Sequence, residues 1–241
     1  MDGLMIDSER VYTEVTNDIL APYGAKMTWD IKAGLMGKPQ EAAAMHLLSF
    51  FPGIPLTVDD YLARRQVMQD LRWPHVALLP GVRRLVLHLQ AHGVPMAIAT
   101  GSVRRNYELK TAHLQDIFGV FGDNVLCADD AWAAEGGARG KPFPDVFLAA
   151  ARKLGRVVGE GEGEIGVLSD EVRAERAHGL VFEDAIPGVQ AAKRAGMNVV
   201  WVPDANLLEL DSPPDTDQVL HSLEEFVPEE WGLPPFPTAI A

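Results

Sequence analysis

The sequence contains very little cysteine, no long apolar run and a shortage of positive charge. Cys127 is the single cysteine among 241 residues, which excludes a disulfide within the chain and favours a reducing compartment. No apolar run approaches the length of a membrane span, and the first residues lack the basic and apolar regions of a signal peptide. We therefore expect a cytoplasmic protein without a membrane partner.

The charge balance narrows the possible partners further. Twenty-one basic residues against 34 acidic ones give a net charge of −13, which argues against nucleic acid or an anionic membrane surface. A phosphate substrate stays possible, because a pocket needs only a few local cations. The apolar fraction of 47% is that of an ordinary globular protein, and the length suits one large domain or a core with a smaller insert. We expect a monomer or a weak dimer.

The first third of the chain, residues 9–76, has the pattern of helices alone. Val11, Val15 and Ile19 recur at helical spacing, which predicts a helix from Ser8 to about Leu20. Two further helices are predicted at residues 41–51 and 58–71.

The remainder of the chain alternates between short apolar runs and amphipathic segments. Val82, Leu85, Val86 and Leu89 predict one of the helices. Strands are predicted at residues 94–99, 124–128, 180–182 and 198–202, with helices between them. This alternation predicts a parallel sheet wrapped by helices. Residues 129–140 and 156–179 are expected to be flexible surface insertions, and the proline-rich tail from Pro228 to be extended or partly disordered.

Four polar clusters follow the predicted strands or lie in the loops after them: Asp2-Gly3, Thr100-Gly101-Ser102, Lys141-Pro142 and Glu183-Asp184. Ligands of open α/β sheets bind outside the carboxyl ends of the strands. Carboxylates, a hydroxyl, a glycine backbone and a cation are the groups that hold magnesium and a phosphate dianion together. The clusters therefore predict a magnesium and phosphate site at this edge.

In order and composition, these clusters resemble the four motifs of the haloacid dehalogenase superfamily of phosphatases. The first motif of that family reads Asp-x-Asp-Gly, and Asp2-Gly3 matches its second half. The family's nucleophile, the first aspartate, would stand just upstream of Met1. We therefore expect that the chain begins inside the motif and that it is inactive as printed.

The resemblance implies a role for each matched residue. Asp2 would be the general acid and base, with its carbonyl on the metal, and Lys141 would bridge the nucleophile and the phosphate. Glu183 and Asp184 would bind Mg²⁺. The implied phosphate-binding set is Gly3, Thr100, Gly101, Lys141 and Lys38.

Lys38 lies in a segment that resembles the helical cap of many of these phosphatases. The implied fold is α/β, a Rossmann-like parallel sheet core of residues 1–8 and 77–241 with an inserted helical cap of residues 9–76. The phrases Thr28-Trp29-Asp30-Ile31-Lys32 and Trp231-Gly232-Leu233-Pro234 are similar to the pseudouridine-5′-phosphatase-like branch. Phosphatases of sugar phosphates and glycerol phosphate lie near that branch.

The implied activity is magnesium-dependent hydrolysis of a small phosphorylated nucleoside, sugar or polyol, such as pseudouridine 5′-phosphate. Two alternatives are a phosphomutase on the same fold and a non-catalytic phosphate-binding protein. Taken singly, each motif also has a simpler interpretation. Thr100 suits a turn or a helix cap, Lys141 and Lys38 suit solvated lysines, and Glu183-Asp184 suits an ordinary loop pair.

Overall fold

A computed structural model describes residues 1–35, 38, 40–130, 138–159, 168–208 and 214–237. They pack as two compact units. The core unit consists of Met1–Ile6 and Leu78–Ala241, and the helical unit of Asp7–Ala77. In the described part of the chain, no helix is long and apolar enough to cross a membrane.

The helical unit contains four α-helices and no strand among its described residues. Val11, Val15 and Ile19 are buried, as their helical spacing predicts. Thr16 and Tyr61 share a hydrogen bond of 3.0 Å between their hydroxyl groups, which ties the first helix to the fourth. The helices are α1 (Ser8–Leu20), α2 (Trp29–Leu35), α3 (Gln40–Ser49) and α4 (Val58–Arg72), with 3₁₀ turns at Ala21–Tyr23 and Trp73–His75.

The core unit alternates strands and helices, as the sequence predicts. Its strands are β1 (Ile98–Ala99), β2 (Val125–Leu126), β3 (Leu180–Glu183), β4 (Asn198–Trp201) and β5 (Gln218–Val219). Its helices are α5 (Val82–Ala91), α6 (Arg104–Thr111), α7 (Gln115–Phe118), α8 (Asp145–Lys153), α9 (Asp170–Ala177) and α10 (Ile186–Arg194). Single 3₁₀ turns lie at Ala112–Leu114, Gly119–Phe121, Ala205–Leu207, Leu223–Glu225 and Pro228–Trp231.

Within the described residues, the paired strands are all parallel and form two separate sheets. β1 pairs with β2, while β3, β4 and β5 form a second sheet in that order. Among the described residues no ladder joins β1 to β3. Of the strand predicted at residues 94–99, only Ile98–Ala99 forms a strand, which pairs with Val125–Leu126.

The prediction of a flexible insertion at residues 156–179 is wrong for its second part. Residues 170–177 form α9, whose N-terminus is capped by Ser169 through a bond of 3.3 Å from the Val172 amide. Arg176 is buried, and its Nε donates to the carbonyl oxygen of Val158 at 2.7 Å. The dense charge of this segment suggested solvent exposure, but one buried arginine anchors the helix to the core unit.

The C-terminal tail packs on the core unit as far as residue 237. Trp231 Nε1 donates to the side-chain oxygen of Gln218 at 3.0 Å. The ring of His88, on α5, lies 2.8 Å from the Pro234 carbonyl oxygen. These contacts agree with the alternative in which the tail is extended along the surface.

Candidate active site

The candidate site lies at the carboxyl ends of β1 and β3. Thr100 follows the last residue of β1, and Glu183 is the last residue of β3. Lys141 lies in the loop before α8, and its Nζ donates to the Ala99 carbonyl oxygen at 3.3 Å. The same ammonium group forms an ion pair with Glu183. Lys141 thus bridges the ends of the two sheets.

Glu183 is buried, and a neighbouring glycine makes room for its carboxylate. A Cβ atom added to Gly188 would lie 2.1 Å from the Glu183 carboxyl carbon, so a larger residue there would displace this carboxylate. Gly188 belongs to the first turn of α10. The Pro-Gly pair after the acidic residues therefore allows a close approach of helix and carboxylate, which explains the spacing seen in the sequence.

Asp2 is held by two side chains that sequence reasoning did not assign. Lys110 Nζ donates to Asp2 Oδ1 at 2.6 Å, and Ser102 Oγ donates to Asp2 Oδ2 at 2.8 Å. Lys110 Nζ also lies 3.2 Å from Ser102 Oγ, which closes a three-membered network. The side chain of Lys110 is 0% exposed, so this ammonium is fully enclosed.

This network determines the ionisation of Asp2. Burial by itself would raise the pKa of Asp2, but the charges of Lys110 and the Met1 amino group and the two side-chain hydrogen bonds outweigh burial. The net result is a pKa below the ordinary value of 3.8, so the carboxylate is ionised at neutral pH.

A weak sequence signal for Lys110 existed. Tyr107, Lys110 and Thr111 are all buried and lie on one face of α6 at spacings of three and four residues. A lysine on the buried face of a helix needs a partner for its charge. Its partner, Asp2, is 108 positions away, and only the fold brings them together.

Thr100 and Gly101 form the turn after β1. The Thr100 hydroxyl accepts a hydrogen bond of 3.1 Å from the Ser102 amide, and Thr100 is buried. A hydroxyl that accepts one bond still has its own hydrogen to donate. Gly101 is exposed, and a Cβ atom there would meet no neighbour within 4 Å, so its backbone faces open space. The N-cap of α6 is Val103, so Thr100 is not a helix cap.

Gly3 lies in a tight turn of the segment that carries Asp2. Its φ of +66° is in the left-handed region that favours glycine, and its amide donates to the Ile6 carbonyl at 3.2 Å. This geometry explains why glycine follows Asp2.

The buried α-amino group of Met1 interacts electrostatically with several charged groups of the site. Burial and the charge of Lys141 lower the pKa of this amino group, while Glu183, Asp2 and Asp184 oppose that shift. In the described ranges, no group of three His, Cys, Asp or Glu side chains forms a ready metal cage. Magnesium commonly takes only one or two carboxylates and completes its shell with other oxygens, so the donor set fits Mg²⁺.

Lys38 belongs to the helical unit and is exposed, and its amide donates to the Leu35 carbonyl at 3.2 Å. The two preceding residues of its predicted loop, Met36 and Gly37, lie outside the described residues.

Comparisons with known proteins identify the family of this chain. Residues 1–196 match the family model described as haloacid dehalogenase-like hydrolase. The chain is 42% identical to (DL)-glycerol-3-phosphatase 2 of Arabidopsis thaliana over 98% of this chain and 90% of that protein. It is 36% identical to a probable pseudouridine-5′-phosphatase of Drosophila melanogaster, over 98% and 93%.

Solved structures show the same fold. A haloacid dehalogenase family hydrolase from Deinococcus radiodurans, solved with bound phosphate and sodium, superposes with a TM-score of 0.71. The match covers 98% of this chain and 95% of that one, at 23% sequence identity. On the family match and the close relatives together, the chain belongs to the haloacid dehalogenase-like hydrolases.

Proposed function

We propose that this chain, a phosphatase of the haloacid dehalogenase-like family, hydrolyses the phosphomonoester of a small polyol, sugar or nucleoside. One observation carries the proposal: Lys141 and Glu183 join the ends of β1 and β3. This arrangement offers a cation and a buried carboxylate at the edge where α/β proteins bind ligands.

Each residue of the site has a chemical task in this proposal. Lys141 neutralises the negative charge on the phosphoryl oxygens, and the Thr100 hydroxyl and the Gly101 amide donate hydrogen bonds to them. Asp2 is ionised at rest, so it must first take up a proton; it then gives that proton to the leaving oxygen and takes one back from the attacking water. Its two oxygens each accept one hydrogen bond in the structure, and each retains a lone pair for that proton.

The proposed metal ligands are Glu183, Asp184 and the backbone carbonyl of Asp2. A bound Mg²⁺ would add positive charge beside the phosphoryl group. We keep the helical unit as the proposed cap, with Lys38 contributing to substrate selection.

The substrate class follows from the relatives. One is named for glycerol 3-phosphate and another for pseudouridine 5′-phosphate, both of them phosphate esters of hydroxyl-rich molecules. We propose the same chemical class here, together with a cytoplasmic location and a monomeric or weakly dimeric state.

Phosphate release tests the proposal directly. The purified protein is incubated with glycerol 3-phosphate, pseudouridine 5′-phosphate and an aryl phosphate, with and without Mg²⁺. The expected result is Mg²⁺-dependent release of inorganic phosphate that Asp184→Asn reduces on the order of a hundredfold or more. Binding of phosphate without release would instead indicate a non-catalytic phosphate-binding protein, and an isomerised sugar phosphate would indicate a mutase.

A further inference from the structure

The turn of residues 100–102, which binds phosphate in the proposed function, is fastened at both ends to one neighbouring segment. At its start, the Thr100 amide donates to the Leu126 carbonyl oxygen at 3.0 Å. At its end, the Ser102 carbonyl oxygen accepts a hydrogen bond from the Ala128 amide at 3.0 Å. Both partners belong to β2 or to the residues directly after it. The conformation of the turn therefore depends on how the segment after β2 is held.

The segment after β2, residues 127–130, is held by the carboxylate of Asp130. Its Oδ2 accepts a hydrogen bond from the Cys127 amide at 2.7 Å, which closes the segment on itself. Arg104 Nε donates to Asp130 Oδ1 at 3.0 Å, and Arg104 Nη2 donates to Oδ2 of the same carboxylate. This bidentate geometry fixes the orientation of both side chains. Because Nη2 also donates to the Val125 carbonyl oxygen at 3.0 Å, Arg104 joins β2 to the acidic residue that follows it.

A second carboxylate of this segment caps α6. A helix cap normally comes from the side chain at the helix boundary, but the N-cap residue of α6 is Val103, which makes no side-chain hydrogen bond. The first turn of α6 contains no acidic residue either. Instead, Asp129 Oδ1 accepts a hydrogen bond from the Arg104 amide at 2.6 Å. The cap of α6 therefore comes from a residue 25 positions farther along the chain.

Arginine is an unfavourable residue for the first position of a helix, because the positive end of the helix dipole lies there. Arg104 occupies this position in α6, and Asp129 and Asp130 supply the compensating negative charge. Burial by itself would raise the pKa of Asp130, but the hydrogen bonds from Arg104 and from the Cys127 amide lower it below the ordinary value of 3.8. The contacts of Arg104 with the segment after β2, and not helix formation, therefore explain an arginine at this position.

We propose that Arg104 is a positioning residue of the active site. Together with Asp129 and Asp130, it holds the segment after β2 and the start of α6 in the arrangement that shapes the phosphate-binding turn. This inference rests on the proposed function. Arg104 does not contact the substrate in this assignment, because its Nε and Nη2 already donate to protein oxygens. It acts through Ser102, whose carbonyl belongs to the turn and whose hydroxyl donates to Asp2.

Amide hydrogen exchange and steady-state kinetics of three variants test the inference. Arg104→Met removes the guanidinium group and keeps much of the side-chain volume, and Asp130→Asn removes the charge of its partner while keeping the shape. The double variant measures the coupling between the two residues. The control is Arg83→Met, which breaks the exposed ion pair of Arg83 with Asp116, between α5 and α7 of the same unit. Every variant is measured well below its own melting temperature.

We expect the Ala128 amide, which donates to the turn, to exchange about tenfold faster or more in Arg104→Met and in Asp130→Asn than in the wild type. The Val199 amide, which donates to Asp217 beside the other sheet, should exchange at the wild-type rate. Arg83→Met should change neither amide. This measurement does not require turnover. An unchanged exchange rate at Ala128 would therefore overturn the inference, whether or not the protein is a phosphatase.

In the kinetic test, glycerol 3-phosphate is the substrate and inorganic phosphate is the competing ligand. Arg104→Met should lower kcat about 10- to 100-fold and raise the inhibition constant of phosphate, because a displaced turn no longer fits the phosphoryl group. The double variant should lose no more activity than the more impaired single variant, since the two residues act as one unit.

Two kinetic results would overturn the positioning role of Arg104. One is a lower melting temperature with wild-type kcat and phosphate inhibition, which would show an ion pair that only stabilises the fold. The other is a loss in the double variant equal to the product of the two single losses. If the wild type released no phosphate, the proposed function would fail, and exchange at Ala128 would still decide whether Arg104 anchors the turn.

Discussion

Two lysine–carboxylate pairs of the candidate site differ in exposure and in the kind of element that carries the lysine. Beside the β1–β2 sheet, Lys110 on a helix reaches Asp2 and is 0% exposed. At the end of the β3–β4–β5 sheet, Lys141 in a loop reaches Glu183 and is 20% exposed. Lys141 also lies 5.0 Å from the centre of the Phe147 ring. Only the second lysine has access to solvent and to an incoming phosphate.

The comparison suggests two different roles for chemically identical residues. An enclosed lysine with two partners holds a carboxylate in one orientation, and its removal leaves a charge without compensation. A lysine at the surface of a site can exchange its carboxylate for a substrate oxygen. We therefore assign Lys110 to positioning Asp2 and Lys141 to binding the phosphoryl group.

The largest loss of activity should follow from substitution of Lys141. Lys141→Ala should lower kcat about 100- to 1000-fold, because a cation facing the transferring group is lost. Lys153→Ala, which removes an exposed lysine of the same unit, is the matched control and should leave turnover unchanged. Glu183 loses its partner in the first variant, so millimolar Mg²⁺ should restore part of the lost melting temperature. If Lys141→Ala turned over substrate at the wild-type rate, the assignment of Lys141 to phosphoryl binding would be wrong.

Lys110→Met should mainly affect the stability of the protein. Removing one partner of an enclosed ion pair costs on the order of 3 kcal/mol of unfolding free energy, and methionine keeps most of the volume. Urea unfolding of the single variants and of the double variant with Asp2→Asn measures the coupling between the two residues. Mg²⁺ should not restore this loss, in contrast to Lys141→Ala. Additive effects of the two substitutions would show that the pair is energetically unimportant.

The same pair predicts a direction of pH dependence. The pKa of Asp2 is lowered in the folded state, so its contribution is fully present above the ordinary value of 3.8. It is lost as the pH falls through the lower folded pKa. The stability difference between the wild type and Lys110→Met should therefore shrink in acid, and a difference that grows below pH 4 would contradict the assignment.

Substitution of Ser102 should cause a smaller loss of stability than substitution of Lys110. Ser102→Ala removes one hydrogen bond to Asp2, which corresponds to about 1 kcal/mol of unfolding free energy. The Lys110 bond remains, so turnover should fall less than in Lys110→Met. A loss equal to that of Lys110→Met in the same urea experiment would show that the hydroxyl, not the ammonium, positions Asp2.

Substitution of Lys38, in the helical unit, should change stability and activity least. Lys38→Ala should change the unfolding free energy by no more than about 0.5 kcal/mol, because the residue is exposed. Its effect on kcat/KM should be below about tenfold and should differ between glycerol 3-phosphate and an aryl phosphate. Lys26→Ala, at another exposed lysine of this unit, is the control. Identical results for both variants would remove Lys38 from the substrate-binding set.

The sequence by itself determined the elements whose pattern is local. The burial of Val11, Val15 and Ile19 follows from helical spacing, and the position of Glu183 at the end of a strand follows from the apolar run before it. The motifs around Lys141 and Glu183 were recognisable because the polar clusters after the predicted strands follow the order of the motifs in the haloacid dehalogenase superfamily. These features depend on neighbours within a few positions along the chain.

The tertiary structure alone decided which distant groups meet. Lys110 and Asp2 pair across 108 positions, and the Glu183 carboxylate packs against Gly188. The helix at residues 170–177 forms in a charged segment because Arg176 packs into the core unit. The spacing of apolar residues indicates which face of a helix or strand is buried. The residue that a buried side chain contacts depends on how the elements pack. For that reason the sequence predicted the separate parts of the site, and only the fold revealed the network that holds Asp2.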